Sequence, residues 1–125
     1  MSGVTFDAGG LIALDRHDRR VIVLLARAAE TNSTVTIPAT ALAQAIRRPE
    51  RQARISRLIR QASTDVVPLD RVDAVSVGRL LAASGSPDVV DAHVVICARR
   101  SGTGVVTSDP RDLTLLDPSL ELIVV

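Results

Sequence analysis

The chain contains no lysine, because all fifteen of its basic residues are arginine. This absence excludes a phosphate-binding loop of the G-x-x-x-x-G-K-[ST] type, a Schiff base and a lysine general base. Tryptophan and tyrosine are also missing, and with Phe6 as the one aromatic residue, base stacking contributes little to any nucleic-acid binding. The single cysteine, Cys97, cannot form an internal disulfide, and its aliphatic neighbours predict a small buried hydrophobe rather than a reactive thiol.

The usual nucleophile and zinc patterns are not evident either. No G-x-S-x-G sequence occurs, and we expect neither His17 nor His93 to have a histidine or cysteine at zinc-ligand spacing. His93 follows Asp91 by two residues, about 200° around a helix, so the two side chains point apart. Structural or solvent-facing roles are predicted for both histidines.

Long hydrophobic runs are absent as well. No apolar stretch approaches the roughly 20 residues that cross a bilayer, and the N-terminal MSGVTFDAGG lacks the basic start and apolar core of a signal peptide. With 125 residues, 46% of them hydrophobic, the chain can bury a core without metal or disulfide staples. We therefore expect one domain over residues 1–125 in a soluble, cytoplasmic protein without membrane contact.

Short β-branched runs alternate with longer helical patterns along the chain. The predicted strands cover residues 3–7, 34–38, 65–69, 104–108 and 121–125. The predicted helices cover about 10–32, 39–62 with a break at Pro49, 70–84, 87–101 and 110–117. Ser86 is expected to cap the fourth helix, with Pro87 at its first position. The alternation predicts an α/β fold of three α/β/α layers around a central, mostly parallel five-stranded sheet.

Four aspartates are predicted to meet at one edge of that sheet. Asp7 ends the first strand and Asp109 follows the fourth, and the functional crevice of a parallel sheet lies at the carboxyl ends of its strands. Asp88 and Asp91 occupy the first turns of the helix that leads into the fourth strand, and Asp112 lies one turn beyond Asp109.

Each carboxylate also has a structural interpretation. The helix dipole favours Asp88 in a first turn, and aspartates flanking Pro110 are common in turns. Asp91 lies in a nearly continuous aliphatic run without a basic residue one turn away, and a buried unpaired carboxylate is costly. Several carboxylates without histidine or cysteine ligands favour Mg²⁺ or Mn²⁺, which activate water and stabilise a leaving oxygen in phosphodiester cleavage.

Four segments in order, FDAGGLIAL, TIPATALAQAIRRP, DVVDAHVVICARR and GVVTSDPRDL, resemble the PIN-domain ribonucleases, specifically the VapC-type toxins of bacterial toxin–antitoxin pairs. The resemblance covers nearly the whole chain. It implies a PIN-like fold and a Mg²⁺- or Mn²⁺-dependent endoribonuclease, a hydrolase that acts on RNA as a homodimer and is silenced by a VapB-type antitoxin.

Matched position by position, the resemblance implies that Asp7, Asp91, Asp109 and Asp112 are catalytic. It places the metal on Asp7, Asp91 and Asp109, and Asp88 is added as a further ligand because of a departure from the family pattern. Where the family has a glutamate, this chain has Gln44. We expect Gln44 to face the crevice and Asp88 to replace the missing negative charge.

A second departure is 8-AGG-10, where the family often has a hydroxyl residue. Thr107 or Ser108 is expected to supply a hydroxyl beside the metal instead.

Three arginines after Gln44 bear on the substrate. Arg47, Arg48 and Arg51 either form a solvated surface or bind the RNA backbone, whose phosphates arginine recognises with two hydrogen bonds.

Two other classes of protein are alternatives to a nuclease. A response-regulator receiver domain has a similar alternation of strands and helices. The resemblance to such a domain implies phosphate chemistry that uses a lysine after the last strands, and this chain has no lysine. The stronger alternative is a PIN-fold module that Gln44 has left catalytically weak and that acts by binding RNA or a partner.

Overall fold

A computed structural model describes residues 3–125 of the chain. Its sheet has five strands in the order β3-β2-β1-β4-β5, and all four neighbouring pairs are parallel. The strands are β1 (Val4–Phe6), β2 (Val35–Pro38), β3 (Thr64–Val67), β4 (Gly104–Thr107) and β5 (Leu122–Val124). The predicted α/β class and five-stranded sheet are confirmed, and the sheet is parallel throughout.

Residues 3–125 form seven α-helices, which connect or follow these strands. They are α1 (Ala8–Asp15), α2 (Arg19–Glu30), α3 (Ala39–Ala45), α4 (Ala53–Ile59), α5 (Arg71–Ser84), α6 (Val89–Ser101) and α7 (Pro110–Leu116), with a 3₁₀ turn at Pro49–Arg51. Within residues 3–125 no single helix is long and apolar enough to cross a membrane. Only α5 and α6 taken together have that length and composition, and they bend by 111° at their junction.

The first predicted helix, 10–32, is in fact two helices. His17 adopts a left-handed backbone conformation with φ of 60°, which interrupts the helical path after α1. Asp18 then caps α2, because its carboxylate accepts a hydrogen bond of 2.9 Å from the Arg20 N–H. A local cap and one left-handed residue therefore override the continuous apolar pattern.

The predicted break at Pro49 is present, and the irregular segment begins earlier, after Ala45. The buried Gln52 side chain occupies this break: its amide oxygen accepts from the backbone N–H groups of Arg47 and Arg48, at 3.0 and 3.1 Å. Its amide NH₂ donates to the Ala45 carbonyl at 2.9 Å. One side chain thus satisfies three backbone groups that neither α3 nor α4 can pair.

The predicted cap of the fourth helical segment is wrong. α6 begins at Val89, and its cap is Asp88, whose carboxylate accepts from the Asp91 N–H at 2.9 Å. Ser86 instead accepts from the Asp88 N–H at 3.2 Å. An aspartate at this position accepts a hydrogen bond from a free N–H group of the first turn and places a negative charge at the positive end of the helix dipole. The helix therefore begins later than predicted.

Two hydrophobic clusters, one on each face of the sheet, define the three layers. The first lies under α1, α2 and α4 and includes Phe6, Leu11, Val21, Ile55 and Val106. The second lies under α5, α6 and α7 and includes Val77, Val94, Val95, Val105 and Leu113. Val105 and Val106 are consecutive in β4 and serve opposite clusters, as the alternation of a strand requires. The predicted three-layer arrangement is confirmed.

Two glycines of α5 should respond in opposite ways to alanine. Gly78 lies inside the helix and Gly85 caps it at φ of 76°, and an added Cβ would meet nothing within 4 Å at either position. We expect Gly78→Ala to raise the free energy of unfolding by about 0.5–1 kcal/mol and Gly85→Ala to lower it by about 1–2 kcal/mol. Urea denaturation of both variants tests this, and shifts of the same sign would contradict it.

Candidate active site

The strand order reverses between β1 and β4, and the carboxyl ends of these two strands lie side by side. Phe6 pairs with Val106, so Asp7 leaves β1 next to Thr107 at the end of β4, and Asp109 follows two residues later. Such a reversal point is where parallel α/β folds place their ligand crevices. The sequence predicted this edge as the site.

Asp7 is buried and serves as the N-cap of α1. Its Oδ1 accepts a hydrogen bond of 2.7 Å from the Gly10 N–H. Burial raises the pKa of Asp7, while hydrogen bonds from the Thr107 hydroxyl and from the Gly10 and Gly9 N–H groups oppose the rise without cancelling it. The nearby charge of Asp109 raises the pKa further.

Thr107 connects the two carboxylates at the strand ends. Its side chain is fully buried, its oxygen accepts from the Asp109 N–H at 3.0 Å, and its hydroxyl is near enough to Asp7 to lower the pKa of that carboxyl. The role of Thr107 as a hydroxyl beside the metal stays a prediction. Its position at the end of the fourth strand was the signal available in the sequence.

The glycine pair in 8-AGG-10 lets α1 approach the end of β4. A Cβ on Gly10 would lie 2.5 Å from the Val106 carbonyl oxygen, and one on Gly9 would lie 2.2 Å from Ser108 Oγ. Real Cβ atoms do not make such contacts, and because the close atom at Gly10 belongs to the backbone, a larger side chain at position 10 would push α1 away from the sheet. The Ser108 hydroxyl lies in the space that a side chain at position 9 would fill.

Asp91 lies half-buried in the first turn of α6, next to Asp88. Burial, the charge of Asp88 and a hydrogen bond with it, and the charges of Asp7 and Asp112 raise the pKa of Asp91 to about 7. Asp88 itself is exposed and is engaged as the cap of α6. The structural interpretation of Asp88 as a favourable charge at the helix start agrees with this position, although Asp88 is the cap and not a first-turn residue, and its carboxylate also acts on Asp91.

All five aspartates belong to one electrostatic cluster. Asp7 interacts with Asp109, and Asp91 interacts with Asp7, Asp88 and Asp112, in each case through like charge. Within residues 3–125, no three of these carboxylates bring their oxygen atoms within 4.8 Å of one another, so the cluster is open. A set of hard oxygen donors with repelling charges fits a divalent cation such as Mg²⁺ or Mn²⁺.

The remaining predicted residues lie on or after α3 and are exposed. Gln44 is exposed on α3, and the side chains of Arg47, Arg48 and Arg51 are exposed along the segment that follows it. The Arg47 guanidinium makes one long contact of 3.4 Å, with the Ile46 carbonyl. Roles for Gln44 at the metal and for the arginines at RNA therefore stay predictions.

The expectation that His93 lacks a partner at zinc-ligand spacing is wrong. Cys97 follows it by four residues on α6, and Asp73 of α5 completes a buried group whose potential ligand atoms lie within 4.8 Å of one another. The spacing of His93 and Cys97 is one helical turn and was visible in the sequence, whereas the approach of Asp73 depends on the packing of α5 against α6.

This second group is already satisfied by hydrogen bonds. His93 contacts Thr40 Oγ1 at 2.8 Å and Asp73 Oδ2 at 3.3 Å, and Arg100 bonds to the other Asp73 oxygen. The Arg100 guanidinium, together with His93, holds the pKa of Asp73 below its usual range despite burial. The prediction of a structural role for His93 agrees with this network, which ties α3, α5 and α6 together. His17 is exposed.

Comparisons with known proteins identify the fold. No family model and no curated protein matches the sequence. Among solved structures, VapBC2 from Rickettsia felis, bound to a DNA fragment from its promoter, aligns with a TM-score of 0.68 at 15% identity over 98% of both chains. PAE2754 from Pyrobaculum aerophilum aligns with a TM-score of 0.64 at 18% identity over 97% of this chain and 83% of its own.

FitAcB from Neisseria gonorrhoeae aligns with a TM-score of 0.62 at 14% identity over 96% of both chains. The chain therefore has a PIN-like three-layer α/β/α fold. The structures of VapBC2 and FitAcB share this fold. The predicted resemblance to the VapC-type toxins is therefore confirmed at the level of the fold.

The raised pKa of Asp91 predicts how stability depends on pH. Between about pH 4 and pH 7 the folded chain holds a proton that the unfolded chain has released, so the free energy of unfolding falls as pH rises through this window. Asp91→Asn removes this dependence. We expect the variant to be more stable than the parent by about 1 kcal/mol at pH 8, allowing for the partial exposure of Asp91, and to lose this advantage at pH 4.

Urea denaturation in EDTA at both pH values measures the difference. Glu50→Gln, which removes an exposed carboxylate outside the cluster, is the control and should show no such pH-dependent gain. An equal difference between Asp91→Asn and the parent at the two pH values would disprove the assignment.

Proposed function

We propose that this chain is a metal-dependent endoribonuclease that hydrolyses RNA phosphodiesters and is the toxin of a VapBC-type toxin–antitoxin pair. The observation that carries the proposal is the environment of Asp91. It is half-buried, and the charged groups that raise its pKa to about 7 are the carboxylates Asp88, Asp7 and Asp112. Perturbed carboxylates that gather at the reversal point of a parallel sheet are typical of a functional site.

The carboxylates divide into two overlapping roles. Asp7, Asp91, Asp109 and Asp88 would hold the cation, and Asp7, Asp91, Asp109 and Asp112 would act on the reacting groups. Thr107 orients Asp7 by its hydroxyl and Asp109 by accepting its N–H. When bound, Mg²⁺ or Mn²⁺ supplies activation of water and neutralises charge on the phosphodiester. Without a cation, burial and the neighbouring carboxylates favour the protonated form of Asp91, and a bound cation would favour release of that proton because its charge stabilises the carboxylate.

We assign RNA recognition to contacts between arginine side chains and the phosphate backbone of the RNA. Arg47, Arg48 and Arg51 are exposed along the segment after Gln44, where guanidinium groups can pair with phosphates. The single aromatic side chain, Phe6, is fully buried in the core and cannot stack on a base. We therefore expect binding to RNA to weaken steeply with salt.

The partners follow from the fold neighbours. VapBC2 and FitAcB support a VapB-type antitoxin as the partner of this chain, and we propose that it also forms a homodimer. The antitoxin would suppress cleavage, as the resemblance to VapC-type toxins implies.

A binding module is the second candidate, and Gln44 favours it. A glutamine oxygen carries no net charge, and Asp88, the carboxylate that would replace the missing glutamate, is already engaged as the cap of α6. A weaker metal site would leave a PIN-fold protein that binds RNA or a partner without cleaving RNA.

Cleavage of single-stranded RNA distinguishes these two functions. We expect the purified chain to cleave a labelled RNA with Mg²⁺ or Mn²⁺ and not in EDTA, because the carboxylates need a cation to act on a phosphodiester. Asp7→Asn and Asp91→Asn should each reduce the rate by about 10²-fold or more.

Gel analysis of the products measures the rate, and Glu50→Gln, prepared in the same way, should keep it. Full activity in EDTA, or activity of both aspartate variants equal to that of the parent, would reject the metal mechanism. Binding of RNA without any cleavage would favour the binding module.

Affinity for Mn²⁺ tests the roles of Gln44 and Asp88. Gln44→Glu adds a negative charge beside the cation, and about one pKa unit's worth of interaction corresponds to about tenfold tighter binding. Asp88→Asn should weaken binding, while asparagine remains a good helix cap, so that loss of charge is separated from loss of the cap.

Titration calorimetry of the parent, the two single variants and the double variant gives these affinities. Gln44→Glu should partly restore binding in the Asp88→Asn background. Unchanged Mn²⁺ affinity in both single variants would mean that Asp88 acts only as a helix cap and that Gln44 lies outside the metal site.

A further inference from the structure

A groove runs along α2 at the amino ends of the strands, on the opposite edge of the sheet from the acidic cluster. We call it the α2 groove. One wall is a stripe of α2 and the other is formed by the starts of β1, β4 and β5, including Val4, Thr103 and Ile123. The cavity has a volume of about 740 Å³. This volume lies within the usual range of about 300–1,000 Å³ for binding pockets.

The helix that forms this wall is poorly covered. α2 has the sequence RRVIVLLARAAE, and of its twelve residues only Val21 is buried. Val23 in the groove is 44% exposed, and Leu24 and Ala28 beside it are partly exposed. Apolar residues that recur along an exposed helical stripe mark a surface that another element can cover.

Arginines border this aliphatic stripe. Arg19 and Arg27 are exposed, and neither takes part in an ion pair among residues 3–125. They lie eight residues apart, about 12 Å along the helix axis. Arg20 pairs with Asp18, and Glu121 is the one carboxylate among the described residues of the groove. The groove therefore offers two uncommitted guanidinium groups.

The lining favours a protein segment over a nucleic acid. Its floor is aliphatic, from Val4, Leu24 and Ile123, and contains no aromatic side chain on which a base could stack. Carboxylates pair with guanidinium groups through two parallel hydrogen bonds, and aliphatic side chains would bury the exposed stripe. The stripe extends for twelve residues, about 18 Å, which suits a helix lying alongside α2.

We propose that the α2 groove binds an acidic amphipathic helix of a partner protein, with aliphatic side chains on the floor and two carboxylates, two helical turns apart, on Arg19 and Arg27. The inference concerns the edge of the sheet away from the aspartates, so it does not rest on the proposed nuclease activity.

The test uses two fluorescein-labelled helical peptides built from alanine, leucine and glutamine. One carries two glutamates seven residues apart beside its leucine stripe, and in the other both glutamates are replaced by lysine. Fluorescence anisotropy with the full chain should show binding of the acidic peptide about tenfold or more tighter than the basic one, weakened by salt.

Two charge reversals locate the site. Arg27→Glu should weaken the binding of the acidic peptide by about tenfold or more. Arg57→Glu is the matched control, because Arg57 lines a smaller groove of about 370 Å³ on the other flank of α2, with Leu14 and Leu58. It should change the affinity by less than about twofold. A loss in Arg57→Glu but not in Arg27→Glu would overturn the proposal.

Amide chemical shifts provide a readout that is independent of these variants. On addition of the acidic peptide, the signals of Thr103 and Ile123 should move, because both residues line the groove across from α2. Absence of binding by the acidic peptide, shifts confined to other surfaces, or displacement of the peptide by a single-stranded RNA would each overturn the proposal. The last result would instead identify the groove as a phosphate-binding surface.

Discussion

The parallel pairing of β1 with β4 is the contact on which the candidate site depends. It joins strands about one hundred residues apart in register, Phe6 with Val106, and the Asp7 N–H continues the ladder by donating to the Val106 carbonyl at 3.2 Å. Gly10 then lets α1 pass within contact of the same carbonyl. Because Asp7 and Thr107 both emerge from this pairing, the site exists only when the two halves of the chain are together.

Two aspartates on neighbouring helices show how the surroundings of a carboxylate determine the direction of its pKa shift. Asp73 on α5 is almost fully buried, yet Arg100 and His93 keep its pKa below the usual range. Asp91 on α6 is half-buried without a basic partner, and burial together with the charges of the surrounding carboxylates raises its pKa to about 7. The first arrangement is a complete ion-pair network. Around Asp91 the carboxylates repel one another without a basic partner. Such unfavourable arrangements are typical of functional sites, where a bound cation can offset the repulsion.

The sequence predicted the strands to within about one residue at most ends, because short β-branched runs between turn residues have few alternatives. It also placed the aspartates at the strand ends, since parallel topology determines where those ends meet. It did not predict the break at His17, which depends on a left-handed residue and a local cap. The buried group of His93, Cys97 and Asp73 was not predicted from the sequence. The spacing of His93 and Cys97 by one helical turn is present in the sequence, but the approach of Asp73 depends on the packing of α5 against α6, which is a tertiary contact.

The break at His17 divides two tasks that one continuous helix could not combine. α1 is tied to the sheet by the Asp7 cap and by the close approach of Gly10, so it is rigid where the carboxylates need a fixed support. After the break, α2 starts from its own cap at Asp18 and packs on the core through the buried Val21 and through partly buried side chains such as Leu24 and Ala28. Val23 and the outer parts of Leu24 and Ala28 stay accessible. A chain with a continuous helix over 10–32 would hold both segments on one axis and could not present α2 as a separate surface.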